Sequence, residues 1–224
     1  MADYSGKERI IMIGSRINKE IERPSEELLR RIGEFSTTEL CDGAVVFNAM
    51  DYHIKPMVTE KKIVGPAVTV KLPIGASIQA AEAIKLAKEG DILVLGGHGV
   101  CNNALWGDHR SFCAKLKGIQ GVVIDGAFRD IEGNEELEFP IYARALCCGA
   151  ASRNSSGEIN VPIDCGGVIV NPGDIIVGDR NGVVVIRPEE AEEIMERARE
   201  KIKKQEVIRR NMLESGEIES NLYK

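Results

Sequence analysis

Histidine occurs only three times in this chain, as His53, His98 and His109. None of them stands at ligand spacing with a cysteine pair, which argues against a zinc site. The six cysteines form no C-x-x-C motif, and the adjacent Cys147-Cys148 is a poor disulfide frame, so reduced and mostly buried thiols are expected. No apolar run approaches the ~20 residues of a membrane span. The opening stretch breaks its one apolar cluster after Ile13, with charged residues soon after, which predicts a cytoplasmic protein without a membrane partner. An excess of basic charge is also missing. The formal net charge of -6 offers no broad attraction to nucleic acid, leaving small-molecule chemistry as the expectation. No repeat, low-complexity linker or composition shift divides the 224 residues, which reads as one domain over 1–224.

What is present is a soluble globular composition, 43% hydrophobic and 29% charged, organised around Gly96 to Asp130. The apolar run Asp91 to Leu95 ends in a glycine cluster, as a buried strand ends in a loop. A helix is expected from Ala104 to Lys117, with Leu105, Phe112, Ala114 and Leu116 as its apolar residues, Trp106 as its core anchor and Gly118 past its end. Val122-Val123-Ile124 then reads as a parallel strand releasing Asp125-Gly126, with Arg129-Asp130 close behind. Ligands of open α/β sheets bind beyond the carboxyl ends of strands, so the glycine loop and the Arg-Asp turn should share one mouth.

Upstream, helices are expected from Ser25 to about Phe35 and after the cap Ser36-Thr37-Thr38-Glu39, followed by a β-rich segment Ile63–Leu72 and a helix Ser77–Lys88. Downstream the pattern changes to strands alone. Ile141–Leu146, Val168–Val170, Ile175–Val177 and Val183–Ile186 alternate with turns, and the last three read as a meander after a polar loop Gly149–Asn160. A long helix begins near Pro188 and ends at Gly216. Its apolar stripe of Ile194, Ala198, Ile202, Val207 and Met212 is thin, so a neighbouring subunit is a plausible second surface. The fold class is α/β with a mixed sheet and a C-terminal helical arm over about 189–215.

Several chemistries compete for the central stretch. Gly97 to Asn102 approaches a dinucleotide fingerprint, but Asn102 replaces its third glycine and no acid ends the next strand at about 20 residues, Asp125 being farther on. A glycine turn without a ligand and an anion site of helix-start amides both remain open. Arg129 can take a substrate carboxylate through two parallel hydrogen bonds. Asp108 and Asp130, brought to one end of the sheet, suit magnesium or manganese, which favour oxygen ligands and keep much of their water. Lys71, at a strand end, is the candidate for a Schiff base instead.

The Gly96-Gly97 loop, Ala104-Leu105-Trp106-Gly107-Asp108, Gly121 to Asp125, Gly126, Arg129-Asp130, Phe139-Pro140-Ile141, Pro172-Gly173-Asp174 and Asn181 to Val185 together resemble one family. It is the 4-hydroxy-4-methyl-2-oxoglutarate aldolases with the regulator-of-ribonuclease-E-activity (RraA-like) proteins. The resemblance spans roughly Thr37 to Gly216 and implies a swivelling β/β/α domain assembled as a homotrimer or hexamer. It implies a lyase that cleaves 4-hydroxy-2-oxo diacids to pyruvate and decarboxylates oxaloacetate with a divalent ion. The other branch of the family implies a non-catalytic regulator that binds a ribonuclease.

Carried over by position, Asp130 would ligate Mg2+ or Mn2+, Asp108 would hold a metal-bound water, and Arg129 would bind the 2-oxo acid. The backbone amides of Gly107, Asp108, His109 and Arg110 would complete the anion site. Glu206 matches the acid that an adjacent subunit's C-terminal helix places over the substrate. His109-Arg110 stands where the aldolases usually carry two aliphatic residues, which bears on substrate identity. The acid after Arg129 favours the enzyme branch over the regulator.

Overall fold

In the computed structural model, residues 15–152 and 157–218 are described; the apolar cluster ending at Ile13 and positions 153–156 of the expected polar loop lie outside them. The mixed sheet and the C-terminal arm are both present. Four parallel strands make the centre: β2 (Ile63–Lys71), β3 (Ile92–Trp106), β4 (Gly121–Phe128) and β5 (Ile141–Leu146). Strands β1 (Lys55–Pro56), β9 (Ile175–Asp179) and β10 (Gly182–Ile186) extend them in the order β1-β5-β4-β3-β2-β9-β10, and β6 (Glu158–Ile159) pairs with the end of β2. The added strands run antiparallel to their neighbours. The two edges of the sheet approach each other, where Lys55 Nζ donates to the Asn181 carbonyl. A separate hairpin of β7 (Ile163–Cys165) and β8 (Val168–Val170) packs over β3.

Chain chemistry explains these placements. All eight residues of β4 are buried, as expected of a parallel strand covered on both faces. Gly65-Pro66 lies within β2 at the point where the strand changes partner: Ile63 to Pro66 face β9, and Ala67 onward face β3. The missing proline N–H falls at that switch. Helices α1 (Glu26–Ile32) and α2 (Thr37–Gly43) start at the expected caps, with Ser25 accepting from the Leu28 amide and Ser36 and Glu39 forming a reciprocal capping box. Helix α3 (Ile78–Leu86) covers one face of the sheet together with α4 (Asp108–Leu116).

Several expectations need correction. The glycine cluster does not end β3, which continues to Trp106 with three register shifts; between Leu95 and Trp106 eleven steps of β3 match four of β4, from Ile124 to Phe128. The stretch is a bulged strand, with His98 and Gly99 at φ 59° and 69° absorbing the excess. Helix α4 therefore starts at Asp108 rather than Ala104, which leaves Trp106 on the strand and rotates the helix. Ser111 and Ala114 are its buried residues, while Phe112 and Leu116 are exposed. Likewise β4 does not release Asp125-Gly126 at the mouth; Asp125 is buried inside the strand and paired with Arg144 at 2.5 Å.

The expected meander is also split, because β8 joins β7 while β9 and β10 form their own hairpin in the large sheet. The short helix α5 (Ile131–Leu137) was not foreseen. Of the six cysteines only Cys165 is buried; all six are free thiols. After one 3-10 turn over Pro188–Glu190, α6 (Ala191–Ser215) runs to Gly216 in the left-handed region, as expected.

Candidate active site

Parallel neighbours β3 and β4 end side by side, with Trp106 opposite Phe128 in the register. The Arg129 amide donates to the Trp106 carbonyl at 3.1 Å, so Gly107-Asp108 and Arg129-Asp130 leave the sheet at the same edge. A cleft of about 130 Å3 opens there, and its lining includes Gly107, Asp108, His109, Arg110, Arg129 and Asp130. Six of the seven residues expected at the site are thus brought together. Glu206 is not among them: it is exposed on α6, and no α6 residue lines this cleft. Lys71 is exposed at the end of β2, 3.3 Å from Glu158, and is likewise absent from the lining.

Two close approaches set the acids. A Cβ on Gly107 would stand 2.5 Å from Asp130 Oδ2, and one on Gly133 of α5 would stand 2.7 Å from Asp108 Oδ2. Each carboxylate therefore lies over a glycine on the opposing segment. Arg129 Nε is 3.2 Å from Asp130 Oδ2, with both side chains about 40% exposed at 40% and 39%. At that exposure the pair adds little to stability and stays available to a ligand. Asp130 itself is held in the left-handed region at φ 60°. Such a conformation in a non-glycine residue is uncommon and marks places where the surroundings override the local preference.

The helix-start amides are only partly available. The His109 amide donates to Asp108 Oδ1 at 2.6 Å and the Arg110 amide to the Gly107 carbonyl at 3.0 Å. The full set of four amides expected from Gly107 to Arg110 is thus not turned to the cleft. Arg110 carries its charge to the wall, donating to the Ser77 carbonyl at 3.0 Å, to Ser77 Oγ at 3.1 Å and to the Leu105 carbonyl. His109 remains exposed at the rim. Ser77, missed in the sequence because it looked only like a helix start, lines the cleft opposite this arginine. Ser111 and Asn134, both wholly buried behind the site, were missed as well, since nothing local marks a buried serine or asparagine as paired.

The donor chemistry fits a hard divalent ion. Two carboxylates meet at one cleft beside glycines, and magnesium or manganese is commonly held by one or two carboxylates with water completing its shell. Among the described residues no group of three or more histidine, cysteine or acidic side chains is placed to hold a metal. Asp130 and Asp108 are the side chains that would hold the ion. No helix among the described residues is long and apolar enough to cross a membrane.

Residues 37–185 match the RraA-like family, described as Aldolase/RraA. An uncharacterized protein of Methanocaldococcus jannaschii is 43% identical over 187 residues, covering 82% of this chain and 88% of that protein. A protein of Halalkalibacterium halodurans named "Putative 4-hydroxy-4-methyl-2-oxoglutarate aldolase" is 39% identical over 165 residues, covering 74% of this chain and 79% of its own length. Among solved structures, Streptomyces coelicolor RraAS2, titled an unusual member of the RNase ES inhibitor RraA family, superposes with a TM-score of 0.75 at 29% identity. That alignment covers 85% of this chain and 99% of RraAS2, so the fold is the one that the sequence resemblance implied. With the family match covering most of the central sheet and both segments of the cleft, the chain belongs to the RraA-like family.

Proposed function

We propose that this protein is a divalent-metal-dependent lyase that cleaves a 4-hydroxy-2-oxo acid of the 4-hydroxy-4-methyl-2-oxoglutarate type to pyruvate, and that it decarboxylates oxaloacetate. The observation that carries the reading is the meeting of one guanidinium, Arg129, with two carboxylates, Asp108 and Asp130, in a single cleft. The name of the Halalkalibacterium relative supports the same reaction class. A bound magnesium or manganese ion supplies electrophilic stabilisation of the charge that develops at the keto oxygen.

The chain's own residues do the rest. Arg129 binds the substrate carboxylate with paired hydrogen bonds and shares the negative charge of the enolate. Asp108 orients a water that takes the proton of the 4-hydroxyl group as the C3–C4 bond breaks. The bonding electrons move to the keto oxygen, and the enolate takes a proton at C3 to give pyruvate. Glu206 of a second copy would close the cleft, which makes a trimer or hexamer the working form.

The assay is pyruvate release from both substrates with magnesium or manganese, repeated in EDTA. Loss of turnover in EDTA supports the reading. Turnover that survives EDTA and is trapped by borohydride overturns it in favour of a lysine Schiff base.

A second reading, a non-catalytic regulator that binds a ribonuclease, is favoured by one observation. A groove of about 310 Å3 lies between the segment that follows α2, the β7–β8 hairpin and the start of α6, rimmed by the exposed Val45, Val46, Phe47 and Ile169. Such an apolar surface fits a protein partner. This reading expects no turnover with any oxo acid, and partner binding that survives Arg129→Ala and Asp130→Ala.

A further inference from the structure

Behind the cleft, three buried side chains form a relay that no local sequence feature announces. The indole Nε1 of Trp106 donates to Ser111 Oγ at 2.8 Å, and the Ser111 hydroxyl donates to Asn134 Oδ1 at 2.5 Å. Asn134 Nδ2 then donates to two successive carbonyls, Arg129 O at 2.9 Å and Asp130 O at 2.7 Å. The backbone amide of Asn134 reaches the same Asp130 carbonyl at 3.1 Å. Trp106, Ser111 and Asn134 are exposed by only 1%, 0% and 0%. One member sits at the end of β3, one on α4 less than a turn from Asp108, and one on α5.

We propose that Asn134 is a positioning residue for the ion site: its side-chain amide holds the Arg129-Asp130 peptides in the conformation that turns both side chains over Gly107. Three observations meet on this. Asp130 is left-handed without being glycine or forming a side-chain cap of its own. Its carbonyl accepts twice from Asn134, which is the restraint that a disfavoured backbone needs. The relay passes through Ser111 on α4, so the segment carrying Asp108 and the segment carrying Asp130 are tied to each other through the buried Ser111–Asn134 hydrogen bond. Asn134 touches neither substrate nor ion and acts only through Asp130 and Arg129. This rests on the metal-dependent reading above, and it extends that reading to a residue outside the cleft.

The test is Asn134→Asp, with Ser111→Ala as the second variant. Asn134→Asp keeps the shape and the acceptor for Ser111, but it sets a carboxylate oxygen against two carbonyls. Binding of Mn2+ alone, followed by electron paramagnetic resonance at pH 7.5, should weaken by about 10- to 100-fold, the usual effect of losing a group that orients a ligand. At saturating Mn2+, kcat should recover to near the wild-type value. A purely structural role predicts a lower melting temperature without the rescue of kcat by Mn2+. Ser111→Ala, which frees Asn134 without removing its donation, should shift Mn2+ affinity the same way by a smaller factor. Wild-type Mn2+ affinity at pH 7.5 in folded variants of both kinds overturns the proposal.

If the wild-type protein binds no Mn2+, the metal-dependent function fails. The relay is then read by nuclear magnetic resonance: the Asn134 side-chain amide should exchange slowly in the wild type, and the Asp130 amide resonance should move in both variants. Exchange of that side-chain amide at the solvent rate overturns the relay on its own.

Discussion

Gly107 and Asp130 stand so close that a Cβ on Gly107 would lie 2.5 Å from Asp130 Oδ2 and 3.5 Å from the Cγ of Arg129. Gly107 has φ -157°, an extended conformation open to any residue, so the glycine is there for space and not for backbone freedom. Gly107→Ala should therefore fold, because the atom in the way is the end of a half-exposed side chain that can rotate. What it should lose is the carboxylate's position. Displacing a catalytic group by about 1 Å can cost about a hundredfold, so kcat/KM for oxaloacetate should fall by roughly that factor. Thermal melting should change by only a few degrees. Unimpaired turnover in Gly107→Ala would remove Asp130 from the reaction.

Asp130→Asn separates charge from shape. Asparagine tolerates the left-handed conformation that Asp130 adopts at φ 60°, and the side chain is 39% exposed, so the fold should survive. The variant keeps one oxygen but loses the negative charge that would hold a divalent ion. Losing even ~3 kcal/mol of charge stabilisation lowers the rate about a hundredfold. Magnesium-dependent pyruvate release should drop at least that far, with a circular dichroism spectrum like that of the wild type.

The charged group beneath the glycine-rich part of β3 gives a pH prediction for stability. Asp51 is held down to about 2, chiefly by the His53 backbone amide, with the His53 ring and Arg144 adding to it. Arg144 in turn bonds Asp125 inside the sheet. A carboxylate depressed in the folded state contributes stability above its unfolded pKa, and that contribution is lost as pH falls through the folded value. Asp51→Asn should therefore lower the melting temperature most at neutral pH. The difference from the wild type should narrow below about pH 4 and vanish only below about pH 2. A difference that grows on acidification would contradict this sign.

Much of the site was legible because its residues sit at the ends of two adjacent strands with short, strongly apolar cores. Val122 to Ile124 and Leu93 to Leu95 fix the pairing of β3 with β4, and the bulge beyond Leu95 then brings Gly107 level with Asp130. The bulge was not legible, since the glycines that ordinarily stop a strand here let β3 absorb extra residues while still pairing with β4. That one misreading moved the helix start by four residues and exchanged its buried face. Helix α5 was hidden for a related reason. Its sequence Ile131–Leu137 contains a glycine and three glutamates, and it is stabilised by Asn134 reaching the preceding turn, a tertiary effect that propensity does not carry.

The arm decides whether the site is complete in one chain. Of α6, Ala191, Ile194, Met195 and Ala198 are buried, whereas none of the residues from Arg199 to Ser215 is. Ile202 and Met212 are half-buried, and Val207 and Leu213 are exposed by 53% and 86%. A helix of this kind gains little from its own domain over its outer half, where Glu206 lies, and ordering it is better repaid against a neighbour. Sedimentation should accordingly give a trimer or a multiple of it. Asp130→Asn and Glu206→Gln should each be inactive alone, since each removes one half of the same site. Mixed subunits should recover part of the activity, because some assemblies then pair an intact Asp130 cleft with an intact Glu206 arm. Glu206→Gln with full turnover, or an active monomer, would place the whole chemistry within one chain and leave the arm's charge as a solvated surface.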